Sequence, residues 1–200
     1  MKSIQDIAEL ERLYGTPSVP ALKKVATRLT PLYRKWIQSS RFCILSTVGP
    51  EGTDASPRGD DGPVVTELDE RTFLLPDWRG NNRLDSLRNI VSDGRASLMF
   101  MVPGSRTVVR VNGRAVLTDD ADLCARFDQA GRKPATVIVF EIAEVYTQCA
   151  RAIMRADLWN APDVPDLPTP GDILAEMTSG EIDGAAYDKE WPDRARKSMW

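Results

Sequence analysis

The chain has 200 residues, 42% of them apolar, and a net charge of −3 with a pI near 5.2. That length favours one domain whose core needs no staple, and the mild acidity excludes a nucleic-acid surface driven by net charge. The absence of histidine excludes Ser-His-Asp and Cys-His catalysis and any histidine metal site, and Cys43, Cys124 and Cys149 are too few and too far apart for a zinc cluster, reading instead as reduced thiols.

From the N-terminus, residues 3–14 read as a helix, with Ser3 as cap, Ile4, Ile7, Leu10 and Leu13 on one face, and Gly15 as stop. A second helical pattern starts after Ser18 and Pro20 and runs toward Trp36, with Pro31 kinking or splitting it. The pattern then changes. Phe42–Val48 is a β-rich run closed by Gly49-Pro50-Glu51-Gly52, and a short run at Thr53–Ser56 follows. The segment Pro57–Pro63 is too rich in Pro, Gly and Asp to be regular throughout.

Val64–Leu68 and Thr72–Leu75 flank Asp69-Glu70-Arg71 as a hairpin. Asn82–Val91 reads as a helix capped by Asn82. Ala96–Val102 is a strand, Pro103-Gly104-Ser105 a turn, and Thr107–Leu117 a long strand with a bulge at Gly113. Asp119–Phe127 is a short acidic-capped helix, and Ala135–Tyr146 is a further strand. Five or six strands with few intervening helices argue against a doubly wound parallel sheet and for a closed or nearly closed antiparallel barrel. After Trp159 a Pro-rich stretch leads to helical periodicity at Asp172–Met177. The tail is expected to fold back as an arm or lid, with Ile173, Leu174, Met177, Tyr187 and Trp191 as apolar anchors. No stretch approaches the ~18 apolar residues of a membrane span, so the expectation is a cytoplasmic protein with neither membrane nor nucleic acid as partner.

Four segments carry chemistry. In Ser56-Pro57-Arg58-Gly59-Asp60, a strand end followed by an Arg-Gly turn gathers amides, a hydroxyl and a guanidinium. That is either a nest for a phosphate or a solvated loop held by an Arg–Asp pair. In Asp77-Trp78-Arg79-Gly80-Asn81-Asn82-Arg83-Leu84, two arginines and two amides stand at a helix start. They form either an anion site using free N–H groups and the helix dipole or a capped helix with surface arginines. Neither segment is a P-loop or a Rossmann fingerprint. Arg110, Asn112 and Arg114 alternate with Val109 and Val111 along one strand. Arg151–Trp159 places arginines and a tryptophan after the last strand, where the tryptophan packs or covers a planar ligand.

Taken in order, FCILSTVGPEG, DASPRGD, DWRGNNRLDSLRNI, RTVVRVNGRA and RAIMRADLW resemble the pyridoxamine 5′-phosphate oxidase-like FMN-binding proteins, over roughly residues 35–160. The resemblance implies a mainly β fold, an FMN-binding antiparallel split β-barrel with N- and C-terminal helical extensions. Residues 1–200 then form one domain, with a helical extension at 1–40, a barrel core at 41–150 and a C-terminal arm at 151–200. It also implies a homodimer with FMN at the interface. By position, Ser56, Pro57, Arg58 and Gly59 would lie along the flavin, with Arg58 toward the phosphate. Arg79 and Gly80 would lead into Asn81, Asn82 and Arg83, which would hold the phosphate. Thr107 would touch the ring, and Trp159 of the second copy would border it. The family's best-known enzymes grip vitamin B6 phosphates with His and Arg near the C-terminus, and this chain has no histidine. The implied activity is FMN-dependent oxidoreduction of an unidentified small molecule or electron donor, with no proton-transfer residue identified. A flavin or small-ligand carrier, sensor or scavenger without turnover is the alternative.

Overall fold

Alternating buried and half-buried residues along Phe42–Gly49 and Arg95–Met101 are the mark of strands with one face on a core. The computed structural model describes residues 1–129, 131–160 and 166–200; residues 161–165 of the Pro-rich stretch lie outside them. Among the described residues seven strands form one antiparallel sheet: β1 (Phe42–Gly49), β2 (Gly52–Gly59), β3 (Thr66–Asp69), β4 (Thr72–Asp77), β5 (Arg95–Met101), β6 (Val108–Thr118) and β7 (Thr136–Gln148). Their order is β2-β1-β5-β6-β7-β4-β3. The sheet curls without closing. Phe73 on β4 and Phe100 on β5, separated in the sheet by β7 and β6, meet edge to face at 5.9 Å across the interior. Around them Leu45, Val109, Val111, Ile138, Phe140 and Val145 are fully buried. This open barrel is the split-barrel architecture.

The helices are α1 (Ile7–Tyr14), α2 (Val19–Lys23), α3 (Pro31–Gln38), α4 (Asp85–Ser92), α5 (Ala121–Cys124), α6 (Arg151–Ala156), α7 (Pro170–Met177) and α8 (Gly184–Lys197). Helix α4 packs on β1, β2 and β6, burying Ser86 and Ile90. Helix α1 starts later than the sequence suggests, because Asp6 rather than Ser3 accepts the capping bond from Ala8 N–H. Pro31 does not kink a long helix. It stands in the first turn of α3, where its missing N–H costs nothing, with Thr30 as cap.

Two further departures bear on the site. Strand β2 does not stop at Ser56 but runs through Pro57 and Arg58 to Gly59, paired with Ile44, Cys43 and Phe42. Proline is tolerated there because β2 is an edge strand. Helix α4 starts at Asp85, not Asn82. Asn82 and Leu84 take left-handed φ of 60° and 64°, so residues 82–84 form an irregular lead-in. The bulge at Gly113 is present, as a register shift between Asn112 and Gly113 against β7. A Cβ at Gly113 would lie 1.9 Å from the Glu141 carbonyl oxygen, so only glycine fits.

In the C-terminal arm, α7 and α8 pack on each other through Gly171 and Gly184, both buried. The sequence pattern did not suggest α8. Of the five expected anchors, Ile173, Met177 and Trp191 are about half or more exposed, whereas Leu174 and Tyr187 are half-buried. The arm returns through Trp200, whose ring meets Trp78 edge to face at 5.2 Å, and through Arg132, which donates to the carbonyl oxygen of Lys197 at 2.8 Å. Among the described residues no helix is long and apolar enough to cross a membrane.

Candidate functional site

Strand alternation sorts the first candidate segment into two faces. Asp54, Ser56 and Arg58 are half-buried, whereas Ala55, Pro57 and Gly59 are exposed. Ser56 and Arg58 therefore face inward, toward a cavity of about 460 Å³ bounded on its other side by Gly80, Asn81, Asn82, Arg83 and the first turn of α4. Pro57 and Gly59 border a smaller hollow of about 230 Å³ beside Trp78 and Met199. The expected Arg-Gly nest is thus a strand, and its donors do not all converge.

The hydrogen bonds of the cavity are specific. Arg58 Nη1 donates to Asp77 Oδ1, and both side chains are about one-fifth exposed. Arg58 Nε is buried without a partner. Ser86 Oγ donates to Asp54 Oδ2 and lies 3.0 Å from Ser56 Oγ. Arg83 Nε donates to Asp85 Oδ2 at 2.8 Å, and Arg83 N–H donates to Asn81 Oδ1 at 3.1 Å. The hydrogen bond to Asp85, then its charge, raises the Arg83 pKa above the ordinary guanidinium value. A guanidinium has five N–H donors, so a single carboxylate bond leaves Arg83 with donors to spare.

The N-terminus of α4 completes the cavity. Side chains cap α1, α3, α7 and α8, the other helices of eight residues or more, at Asp6, Thr30, Thr169 and Asp183. Leu84 stands at the cap position of α4 and offers no side-chain bond. The first-turn residues Asp85, Ser86 and Leu87 line the cavity. Uncapped first-turn amides carry positive partial charge and bind anions. Arg83 precedes the helix rather than lying in its first turn, and it reaches the cavity because the left-handed turns at Asn82 and Leu84 fold the loop over the helix start.

Arg79 faces a neighbouring cavity, which also touches Gly80 and Asn82. Thr107 and Trp159 are elsewhere. Trp159 Nε1 donates to the Ser105 carbonyl oxygen at 2.6 Å beside a 350 Å³ hollow at the Pro103–Arg106 turn. Thr107 leads into β6, with β5 and β1 between it and β2. That is three strand spacings of ~4.8 Å. Within one chain these two residues do not join the cavity.

Sequence reasoning missed Asp54, Asp77 and Ser86 as site residues. The period-2 alternation Asp54-x-Ser56-x-Arg58 is a legible signal for the first. Asp77 is 19 residues from Arg58, and no local pattern announces a pair between unpaired strands. Among the described residues no group of three or more Cys, Asp or Glu is arranged to hold a metal ion.

A family model described as pyridoxamine 5′-phosphate oxidase matches residues 29–149. A variant of HupZ from Group A Streptococcus is similar in fold, with 14% identity over 60% of this chain and 98% of that chain and a TM-score of 0.50. A pyridoxamine 5′-phosphate oxidase-like protein of Lactobacillus delbrueckii has 21% identity over 60% of this chain and 95% of that chain, at a TM-score of 0.48. An FMN-binding protein from Syntrophomonas wolfei has 11% identity over 72% of this chain and 97% of that chain, at a TM-score of 0.43. No curated protein matches the chain.

Proposed function

The chain belongs to the pyridoxamine 5′-phosphate oxidase family, and from that premise we propose that it binds FMN and acts as an FMN-dependent oxidoreductase on a small molecule. The observation that carries this reading is the uncapped N-terminus of α4 opening into the same cavity as Ser56, Arg58 and Arg83. The donor set suits a phosphate monoester: two guanidiniums, the amides of Asn81 and Asn82, and first-turn N–H groups. The buried, unpartnered Arg58 Nε is a donor that an anionic ligand would satisfy.

When bound, FMN supplies the redox centre, so the protein contributes position and electrostatics. Asp77 orients Arg58 through its ion pair, and Asp54 orients Ser86, whose hydroxyl in turn meets Ser56. Arg83 closes the cavity from the loop side. Pro57, Gly59 and Arg79 act as walls of the adjoining hollows. Without histidine, the chain lacks the imidazole grip on vitamin B6 phosphates, which argues against them as its substrate.

The same reading includes a homodimer. Thr107 and Trp159 lie away from the phosphate cavity of their own chain, and a second copy would bring them to it. Ile7 and Leu13 on α1 are 69% and 57% exposed, an apolar face that a second copy would cover. We read residues 1–200 as one cytoplasmic domain, with 1–40 and 151–200 as extensions of the barrel.

The visible spectrum of the purified protein, with and without added FMN, tests the first claim. Anaerobic reduction of the FMN-loaded protein by NADPH, NADH or a reduced deazaflavin, followed by reoxidation with a substrate panel, tests the second. Flavin absorbance that no donor reduces would leave the carrier reading and sink the oxidoreductase.

A further inference from the structure

Next to the phosphate cavity, across the Trp78–Leu84 loop, lies a larger cavity of about 890 Å³, walled by α4, the segment leading into β7, and Trp200. Its charge is unusual for a chain of net charge −3. Four cationic side chains reach it, Arg79, Arg88, Arg132 and Lys133, against one side-chain carboxylate, Asp77, which is engaged with Arg58. Among the described residues none of the four cations has a side-chain carboxylate within ion-pair distance. Arg132 donates only to main-chain oxygens of Lys197 and Trp200, at 2.8 and 3.1 Å.

The rest of the wall is apolar. Trp78 and Trp200 meet edge to face, and Leu87, Leu117 and Val91 complete it. Val91 is 75% exposed, although it stands on the helix that packs against the sheet. A volume of this size holds a small molecule. Aromatic walls favour a flat apolar body, and unpaired cations at one rim favour a negative group on it. A second copy of the same face is disfavoured, because an isologous contact would set four cations against four.

We infer that this cavity binds a small aromatic carboxylate, a site distinct from the phosphate cavity and independent of whether FMN occupies the latter. Arg88 and Lys133 supply the charge, and Trp78 and Trp200 supply the surface against which the ring packs.

The test is calorimetric titration of 2-naphthoate into the full chain, with 2-naphthamide as the neutral isostere. Naphthoate is expected to bind at least tenfold more tightly than the amide, and more weakly as salt is raised. Arg88→Ala and Lys133→Ala are each expected to weaken naphthoate about tenfold, and both positions are exposed, so the variants should keep the wild-type circular dichroism and melting curve. Arg83→Ala, which removes a phosphate contact on the other side of the loop, should leave naphthoate affinity within threefold. That result separates this site from the FMN reading. Equal binding of acid and amide, or wild-type affinity in the Arg88→Ala/Lys133→Ala double variant, overturns the proposal. So does a naphthoate-blind cavity in a protein whose sedimentation coefficient falls in the double variant, which would assign the face to a second copy.

Discussion

Arg58 and Asp77 tie together the two ends of an open sheet. Arg58 is on β2, the edge strand at one end, and Asp77 closes β4, one strand from the other end, yet Arg58 Nη1 donates to Asp77 Oδ1 across the split. No backbone pairing joins β2 to β3 or β4, so a side-chain pair stands where a closed barrel would have a ladder. It also sets the orientation of the guanidinium that faces the phosphate cavity.

Removing Asp77 should therefore act on both stability and binding. A hydrogen bond to a charged group contributes ~1.5–3 kcal/mol, which for a chain of this length lowers Tm by roughly 3–12 °C. Asp77→Ala should show that shift by calorimetry and should weaken FMN as well. Arg58→Lys should not restore wild-type FMN affinity, because an ammonium lacks the planar fork.

Arg83 and Arg88 flank the start of α4 and the body of the same helix but border different cavities. Arg83→Ala should weaken FMN by roughly ten- to a hundredfold, the range of one charge-assisted contact. Arg88→Ala should change FMN affinity less than about threefold. Flavin fluorescence quenching gives both constants, and equal values would place the phosphate away from this helix start.

Gly113→Ala should destabilise the fold by roughly 2–3 kcal/mol, the usual cost of forcing atoms into a packed site. The added Cβ would stand 1.9 Å from the Glu141 carbonyl oxygen and 2.9 Å from the Phe140 ring, so either β7 shifts or the bulge is lost. Urea denaturation should show a lower midpoint with an unchanged slope.

Two of the thiols, Cys43 and Cys149, should differ in reactivity. Burial pushes the Cys43 thiol up to about 12, partly offset by the charge of Arg58 opposite it on β2. A backbone hydrogen bond from Arg151 holds the exposed Cys149 below the ordinary thiol value. Iodoacetamide at pH 8 should label Cys149 first and leave Cys43 unlabelled until denaturant is added, as read by peptide mass. Cys43 keeps its proton in the folded state up to about pH 12, while in the unfolded chain it is lost near the ordinary thiol value of ~8.5. Stability should accordingly fall as pH rises through that window, and Cys43→Ala should remove part of the slope.

Sedimentation velocity should show the FMN-loaded protein at twice the 22.2 kDa chain mass, with Trp159→Ala weakening FMN. A folded monomer that binds FMN with wild-type affinity contradicts the proposal that Thr107 and Trp159 serve the second copy's cavity.

The sequence by itself determined the strands whose pattern is local. Phe42–Val48, Ala96–Val102 and Ala135–Tyr146 follow from β-branched and apolar residues between turn formers, and the Gly113 bulge from a lone glycine in a strand. It also determined which segments carry arginine, serine and amide side chains together, because short motifs are contiguous in the chain. Tertiary structure alone decided where those side chains face. Ser56 and Arg58 share a cavity while Pro57 and Gly59 do not, because β2 extends past Ser56 once β1 is there to pair with it. Propensity read Pro57-Arg58-Gly59 as a break, and ladder hydrogen bonds to a neighbouring strand overrode it. Asn82 is a good cap by type, but the packing of α4 on β1 and β2 sets the helix start at Asp85 and leaves Leu84 at the cap. The Arg58–Asp77 pair and the cation-rimmed cavity beside Trp200 join residues far apart in the chain. Their proximity depends on how far the sheet curls, which is set by packing across the whole interior and by no single stretch of sequence.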